Sequence, residues 1–148
     1  MTTDDGWMEI RPDLKSSVAI RPDVRISVAR AGGSGTFRAK MLLSARVVEE
    51  NLTMPGAGET VRVRVLLGRG VQSHQMLVQA REDGPFVLTA LRNRSGLRPT
   101  VYRLTLPVVE HWPRNVYPET GLKFQTRSDF AIAVDLPQAF WFRKQRAA

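Results

Sequence analysis

Hydrophobic and polar residues alternate over much of the chain beyond residue 20, and a period of two predicts β-strands whose two faces differ in polarity. The clearest strand has Val61, Val63 and Val65 on one face, while Arg62 and Arg64 occupy the other. Further strands are predicted over residues 24–29, 36–43, 75–80, 86–91, 101–106, 122–125 and 130–135. Because short turns separate most of them, the pattern predicts an antiparallel meander or a barrel-like sheet.

One short helix is predicted between two of the strands. Ser44 can act as its N-cap, because a serine hydroxyl accepts a hydrogen bond from a free first-turn N–H. Ala45, Val48 and Leu52 then fall on one helical face. A helix of this length is marginal in water, so it must be held by packing on the sheet. The predicted fold class is therefore mainly β with one short helix.

Glycine and proline mark two of the connections. The glycine-rich stretch 31–35 is predicted to be a hairpin tip rather than a phosphate cradle, because a strand follows it and a cradle needs a helix. Pro107, Pro113 and Pro118 predict an irregular stretch over 107–120.

A tandem repeat lies near the start of the chain. Residues 10–19 and 20–29 are identical at seven of ten positions. Pro12 and Pro22 are each expected just before a strand, because proline lacks an N–H for the ladder. The two copies can pair within one sheet or across a dimer, or they can record a recent duplication without a role.

The chain length of 148 residues suits a single domain. We expect a flexible acidic N-terminus over 1–9, one β-rich domain over 10–139 and an aromatic-basic tail over 140–148. No apolar run is long enough to span a membrane, the N-terminus lacks the apolar core of a signal peptide, and cysteine is absent. These features favour a cytoplasmic protein.

The charge is strongly positive and unevenly distributed. The chain has a formal net charge of +8, and 18 of its 22 basic residues are arginine. Residues 60–107 contain eight arginines against only Glu82 and Asp83, whereas residues 1–13 are net acidic. Such a field attracts polyanions, and arginine binds phosphate in a bidentate manner. The open alternatives are a solvated basic surface and the arginine enrichment that a GC-rich genome produces.

The basic residues supply the candidate DNA contacts. Arg62 and Arg64 share one strand face about 6.6 Å apart, a spacing similar to that of successive phosphates. The candidates from the charge pattern are Arg62, Arg64, Arg69, Arg92, Arg94 and Arg98. Whether the partner is single- or double-stranded stays open.

The middle of the chain resembles a known family. Leu52-Thr53-Met54-Pro55-Gly56-Ala57-Gly58-Glu59, followed by the alternating valine strand, is similar to the turn and strand of the AbrB/MazE-like swapped-hairpin family over about residues 37–80. It departs from the family at Glu59, where an Asp is usual, and near the helix start, where the expected Pro is missing and Ser44 is nearby instead. The resemblance implies an obligate dimer with interleaved hairpins and a basic face on DNA, and it adds Arg46 to the candidates. A weaker similarity connects the chain to single-stranded-DNA-binding proteins with curved antiparallel sheets.

The residues give little support for catalysis. His74 and His111 are far apart in sequence, no zinc-ligand spacing is present, and no nucleophile or phosphate-binding motif appears. We therefore predict no enzyme activity, no cofactor and no metal.

Two functions fit these observations. The first is a homodimeric DNA-binding protein, such as a transcriptional regulator of a bacterium or phage. The second is a protein-interaction or assembly module without a nucleic-acid role, which docks through Phe140, Trp141 and Phe142. The same aromatic residues can instead pack the end of the chain on the core.

Overall fold

The structure is a computed structural model that describes residues 22–31, 35–56, 60–72, 74–92 and 99–141. In these ranges the chain forms nine strands and one α-helix, α1 (Ala45–Asn51). The strands are β1 (Val24–Arg30), β2 (Phe37–Ser44), β3 (Val61–Leu67), β4 (Gln75–Ala80), β5 (Phe86–Arg92), β6 (Pro99–Pro107), β7 (Tyr117–Gly121), β8 (Phe124–Arg127) and β9 (Ala131–Asp135). The prediction of a mainly β fold with one short helix is confirmed. The first copy of the tandem repeat lies outside the described residues, whereas Pro22 lies just before β1, as predicted.

All nine strands belong to one antiparallel sheet with the order β7-β1-β2-β6-β5-β3-β4-β9-β8. The sheet curls into a half-barrel. Its order is not the simple meander that the short turns predict, because β5 pairs with β3 and not with β4, its predecessor in the chain.

A close backbone contact explains how β5 reaches the far side of β3. The turn after β4 folds back over β3, and the N–H of Arg81 donates to the carbonyl of Arg62 at 2.9 Å. Gly84 in this turn is so close to β3 that a Cβ atom there would lie 2.5 Å from the carbonyl oxygen of Val63. The path therefore depends on the missing side chain at position 84.

The two edge strands of the sheet, β7 and β8, are consecutive in the chain and separated only by Leu122 and Lys123. The N–H of Leu122 donates to the carbonyl of Val24 in β1 at 2.8 Å. On the other side, the N–H of Asp135 in β9 donates to the carbonyl of Lys123 at 2.9 Å. We call residues 121–123 the seam, because they bond to both ends of the curled sheet.

The strand β7 corrects the prediction of an irregular stretch over 107–120. Tyr117–Gly121 pairs with β1 although it contains Pro118. A proline is tolerated because β7 is an edge strand, so one side of it needs no ladder donors.

The core is formed by the alternating side chains on one face of the sheet, together with α1. Fully buried members from the strands include Val24, Ile26, Val28, Met41, Leu43, Val63, Met76, Val78, Leu104, Ile132 and Val134. We call the opposite face, whose side chains point away from this core, the outward face.

The helix begins at the predicted cap, and two residues of its predicted apolar face, Val48 and Leu52, are buried. The hydroxyl of Ser44 accepts from the N–H of Val47 at 3.3 Å. Val47 and Val48 are buried with Leu52, whereas Ala45 is only half-buried. The helix packs on β2 and β6, and Val47 joins the buried residues there. No helix in the described ranges is both long enough and apolar enough to cross a membrane.

An ion pair joins β1 to the edge strand β7. The guanidinium of Arg25, whose side chain is 9% exposed, bonds to the half-exposed carboxylate of Glu119. Because Arg25 is nearly buried, its charge needs this partner more than a surface arginine would.

We predict that Gly84→Ala destabilises the protein strongly. The added methyl group would meet the backbone of β3, which cannot move without breaking its ladders, so we expect a loss of about 2–3 kcal/mol in the free energy of unfolding. Urea denaturation measures it. The matched control is Asp83→Ala at the neighbouring exposed position. Equal stability of the two variants would contradict the close crossing of β3.

We also predict that Glu119→Gln lowers the free energy of unfolding by about 1–2 kcal/mol, because it leaves the Arg25 charge nearly buried with a weaker acceptor. Glu110→Gln, at an exposed position outside the strands, is the control and should change it by less than about 0.5 kcal/mol. If both variants unfold at the wild-type urea concentration, the pair does not hold β7 to the sheet.

Candidate nucleic-acid interface

The outward face of five neighbouring strands, β1, β2, β6, β5 and β3, carries the candidate site. Every charged side chain at the outward strand positions of these five strands is a cation. One of them, Arg25, is held by Glu119 from β7. The others are Arg38, Lys40, Arg62, Arg64 and Arg103, and we call these five residues the basic face.

The register brings the cations of β2 and β6 together. Lys40 pairs with Thr105 and Leu42 pairs with Arg103, so Lys40 and Arg103 are diagonal neighbours. Their Cα atoms are therefore about 7–8 Å apart. Arg38 lies two residues before Lys40 on the same face, at about 6.8 Å. Arg38 and Lys40 are exposed, and Arg103 is half-buried.

The cations of β3 are oriented by neutral acceptors. Arg62 donates from Nη1 to the carbonyl of Gly84 at 3.3 Å. Arg64 donates from Nε to the side-chain oxygen of Gln79 at 2.7 Å. These bonds limit the rotamers of both arginines without cancelling their charge.

No carboxylate among the described residues forms an ion pair with any member of the basic face. The carboxylates that are paired serve other arginines, as Asp23 does for Arg46 and Asp83 for Arg81. The five charges are thus available to a polyanion, and the field of the face is not divided between opposite signs.

Arg46 is not part of this face. It lies on α1 and its Nη2 donates to the carboxylate of Asp23 at 2.9 Å, while Ser44 donates to the other oxygen of the same carboxylate. The side chain of Arg46 remains 67% exposed. Its charge is already compensated, and we assign it to tying the helix start to the beginning of β1.

The remaining arginines predicted from the sequence are spread around the site. Arg69 is exposed in the connection between β3 and β4. Arg92 is the exposed last residue of β5. Arg94 and Arg98 lie outside the described residues. The structure therefore brings together Arg62 and Arg64 and leaves Arg69 and Arg92 away from them.

Sequence reasoning missed Arg38, Lys40 and Arg103 as site residues. The alternation that reveals them was available, since Phe37, Ala39, Met41 and Leu43 predict an inward face for β2. The sequence does not show which strands lie next to one another in the sheet. The pairing of β2 with β6 spans more than sixty residues, and only that pairing places Arg103 beside Lys40.

The aromatic residues near the end of the chain serve mainly to pack it. Phe140 is fully buried, with edge-on ring contacts to Trp112 at 5.4 Å and to Tyr117 at 5.0 Å. A buried ring cannot contact a partner, so we assign Phe140 to the core rather than to a docking surface. Trp141 is 37% exposed, and its indole N–H donates to the carbonyl of Leu136 at 2.8 Å. Phe142 lies outside the described residues.

The described residues do not assemble a metal centre. No group of three His, Asp or Glu side chains within them is close enough to hold an ion together. His74 is half-buried and its ring packs against Trp141 at a centroid distance of 6.0 Å. This ring contact gives His74 a packing role.

Comparison with known proteins does not indicate a function, so the proposal below rests on the geometry of the basic face. No family model, curated protein or solved structure matches the chain significantly.

Proposed function

We propose that the protein binds DNA, and that the basic face contacts the phosphate backbone. The observation that carries this proposal is the single sign of charge on the basic face, whose members lie on β2, β6 and β3, with no described carboxylate paired to Arg38, Lys40, Arg62, Arg64 or Arg103. A solvated surface without a partner normally mixes the two signs, because like charges on one sheet face repel one another.

The size of the face suits a nucleic acid. Five strands span roughly 19 Å from the first to the last, at about 4.8 Å per strand. A stretch of duplex of that length presents on the order of eleven phosphates, at one charge per about 1.7 Å. The length of the face is therefore comparable to that of a short stretch of duplex.

The neighbours of the cations favour backbone contacts over base stacking. Thr89 and Thr105 stand next to Arg103 and Lys40 on the outward face, and hydroxyl groups are common phosphate donors. The aromatic residues of β2, β5 and β6 are Phe37, Phe86 and Tyr102, and they occupy inward positions against the core. Stacking platforms for single strands need aromatic rings on the binding surface. We therefore favour duplex DNA as the partner.

The family and the dimer stay predictions. The order of elements over 37–80 is strand, helix, strand, strand, as the swapped-hairpin resemblance expects. Within one chain, however, β2 pairs with β1 and β6, and β3 pairs with β4 and β5. A cytoplasmic regulator remains the biological role that we propose for such a DNA-binding protein.

Charge reversal on the basic face tests the proposal. We expect Lys40→Glu combined with Arg103→Glu to weaken binding of a labelled DNA duplex by about tenfold or more at 0.1 M salt or so, because two phosphate contacts become repulsive. Fluorescence anisotropy measures the affinity.

The matched control is Arg114→Glu combined with Lys123→Glu, which changes the net charge equally at exposed positions off the basic face. It should bind DNA within about twofold of the wild type. If the two double variants lose affinity equally, net charge and not the basic face attracts the DNA. A wild-type protein that fails to bind duplex even at low salt would end the proposal.

A further inference from the structure

A groove crosses the outward face on the strands β3, β4, β9 and β8, and it encloses about 460 Å³. Ala131 and Ala133 of β9 form its floor, Leu77 and Gln79 of β4 line one wall, and Arg127 of β8 stands on the other. Its volume falls within the range of small-molecule sites.

The groove exists because the outward positions of β9 carry small side chains. Ala131 and Ala133 are 2% and 3% exposed, since the longer side chains of both neighbouring strands rise above them. Ala131 pairs with Gln79 on one side and with Arg127 on the other. Arg127 is therefore about 10 Å from Gln79 at Cα, across the alanine strand.

The polar groups along the groove are held in fixed orientations. Gln79 accepts from Nε of Arg64 at 2.7 Å and donates to the carbonyl of Asp129 at 3.1 Å. Gln75 donates from its side-chain nitrogen to the carboxylate of Asp135 at 3.0 Å. The amide oxygen of Gln75 and the terminal nitrogens of Arg64 make no further bond to a described residue. A ligand would thus meet acceptor and donor groups that are already positioned.

The rim of the groove is strained. The turn from β8 to β9 places Asp129 and Phe130 in the left-handed region, at φ 62° and 57°. A non-glycine residue in that region costs about 1–2 kcal/mol, and the cost for a bulky phenylalanine is not relieved by a local hydrogen bond of its side chain. Consecutive left-handed residues are the geometry that tight β-hairpin turns require, so the pairing of β8 with β9 enforces this conformation. Here the enforced conformation aims the Asp129 carbonyl at Gln79.

The lining is cationic on balance and apolar at its centre. Within the lining, Arg64 and Arg127 contribute two positive charges against the carboxylate of Asp129, and the carboxylate of Asp135, which accepts from Gln75, adjoins it. Leu66 and Leu77 lie side by side in the row next to Arg64 and Gln79, and Leu66 is 43% exposed. A ligand that fits these surfaces has an anionic group at one end, a flat apolar body and hydrogen-bonding groups along its edge.

We propose that this groove binds one nucleotide unit. The phosphate would contact Arg64 and Arg127, the face of the base would lie on Leu77 above the alanine floor, and Gln75 would bond to the edge of the base. The unit can be a free nucleoside monophosphate or a nucleotide within a strand. In the second case the inference rests on the proposed function, because Arg64 belongs to both the groove and the basic face.

A larger side chain on the floor of the groove tests this proposal, because it would occupy the space that the nucleotide needs. Ala133→Leu should lower the affinity for nucleoside monophosphates at least tenfold, and Arg127→Gln should lower it about tenfold through the lost charged hydrogen bond. Isothermal titration with AMP, GMP, CMP and UMP measures the binding, with adenosine and inorganic phosphate as partial ligands. The control is Ala29→Leu, the same substitution at an exposed outward position of β1.

The expected result is saturable binding of at least one of the four nucleotides, unchanged in Ala29→Leu and in the double variant Lys40→Glu, Arg103→Glu. The latter retains the groove while losing DNA, so the two proposals can fail separately. If Ala133→Leu lowers the affinity for a single-stranded oligonucleotide, the groove binds a nucleotide within a strand. If that affinity is unchanged, the groove binds the free nucleotide.

Three results would overturn the inference. The first is that none of the four nucleotides binds at millimolar concentration. The second is that adenosine or inorganic phosphate alone binds as tightly as the nucleotides. The third is that Arg127→Gln, which leaves the floor of the groove intact, binds like the wild type. Thermal unfolding of each variant shows whether a loss of nucleotide affinity in Ala133→Leu reflects misfolding. If it does, the nucleotide affinity of Arg127→Gln decides whether the groove is the binding site.

Discussion

The hydrogen bonds on both sides of the seam, residues 121–123, are the constraint on which the rest of the structure depends. Leu122 bonds to β1 and Lys123 accepts from β9, so one short segment holds the two ends of the curled sheet. A sheet curled in this way has an inside, where alternating apolar side chains are enclosed. Charged side chains on the same strands must then point outward, since burying an unpaired charge is costly. The outward orientation of the basic face therefore follows from the curl of the sheet as much as from the composition of the chain.

The alternation of residue types made much of this fold predictable. Strands β1 to β6 lie within a few residues of their predicted bounds, and Ser44 caps α1 as its hydroxyl suggests. Local patterns fix the period of a strand but not its partner. The crossing over β3 depends on Gly84, because a side chain at this position would collide with the backbone of Val63. This constraint is visible only in the folded structure, where the two residues are in contact. The strand β7 was missed because Pro118 disfavours a strand unless that strand lies at an edge.

The sequence predicts a cationic surface but not which side chains the fold brings together on it. The excess of arginine identified a cationic surface, and Arg62 and Arg64 belong to it. Arg38, Lys40 and Arg103 joined them only through pairings of distant strands. Arg46 lies apart from them and is paired with Asp23, a contact that no local pattern predicts. Phe140 shows that an aromatic residue next to a basic tail can belong wholly to the core.

The basic face and the groove occupy different parts of the outward surface. Strands β1, β2, β6 and β5 present cations and hydroxyls suited to a repeating phosphate backbone, whereas β4, β9 and β8 present a recess suited to one unit. Arg64 on β3 stands between them, and its bond to Gln79 couples its position to the groove. A strand of nucleic acid that follows the cations would reach the recess at this arginine.

The salt dependence of DNA binding by the wild-type protein tests the central claim most directly. If the five cations of the basic face each neutralise a phosphate, the logarithm of the affinity should fall with the logarithm of salt concentration with a slope of about −4.5. A slope near zero, or no measurable binding at low salt, would show that the basic face meets only water.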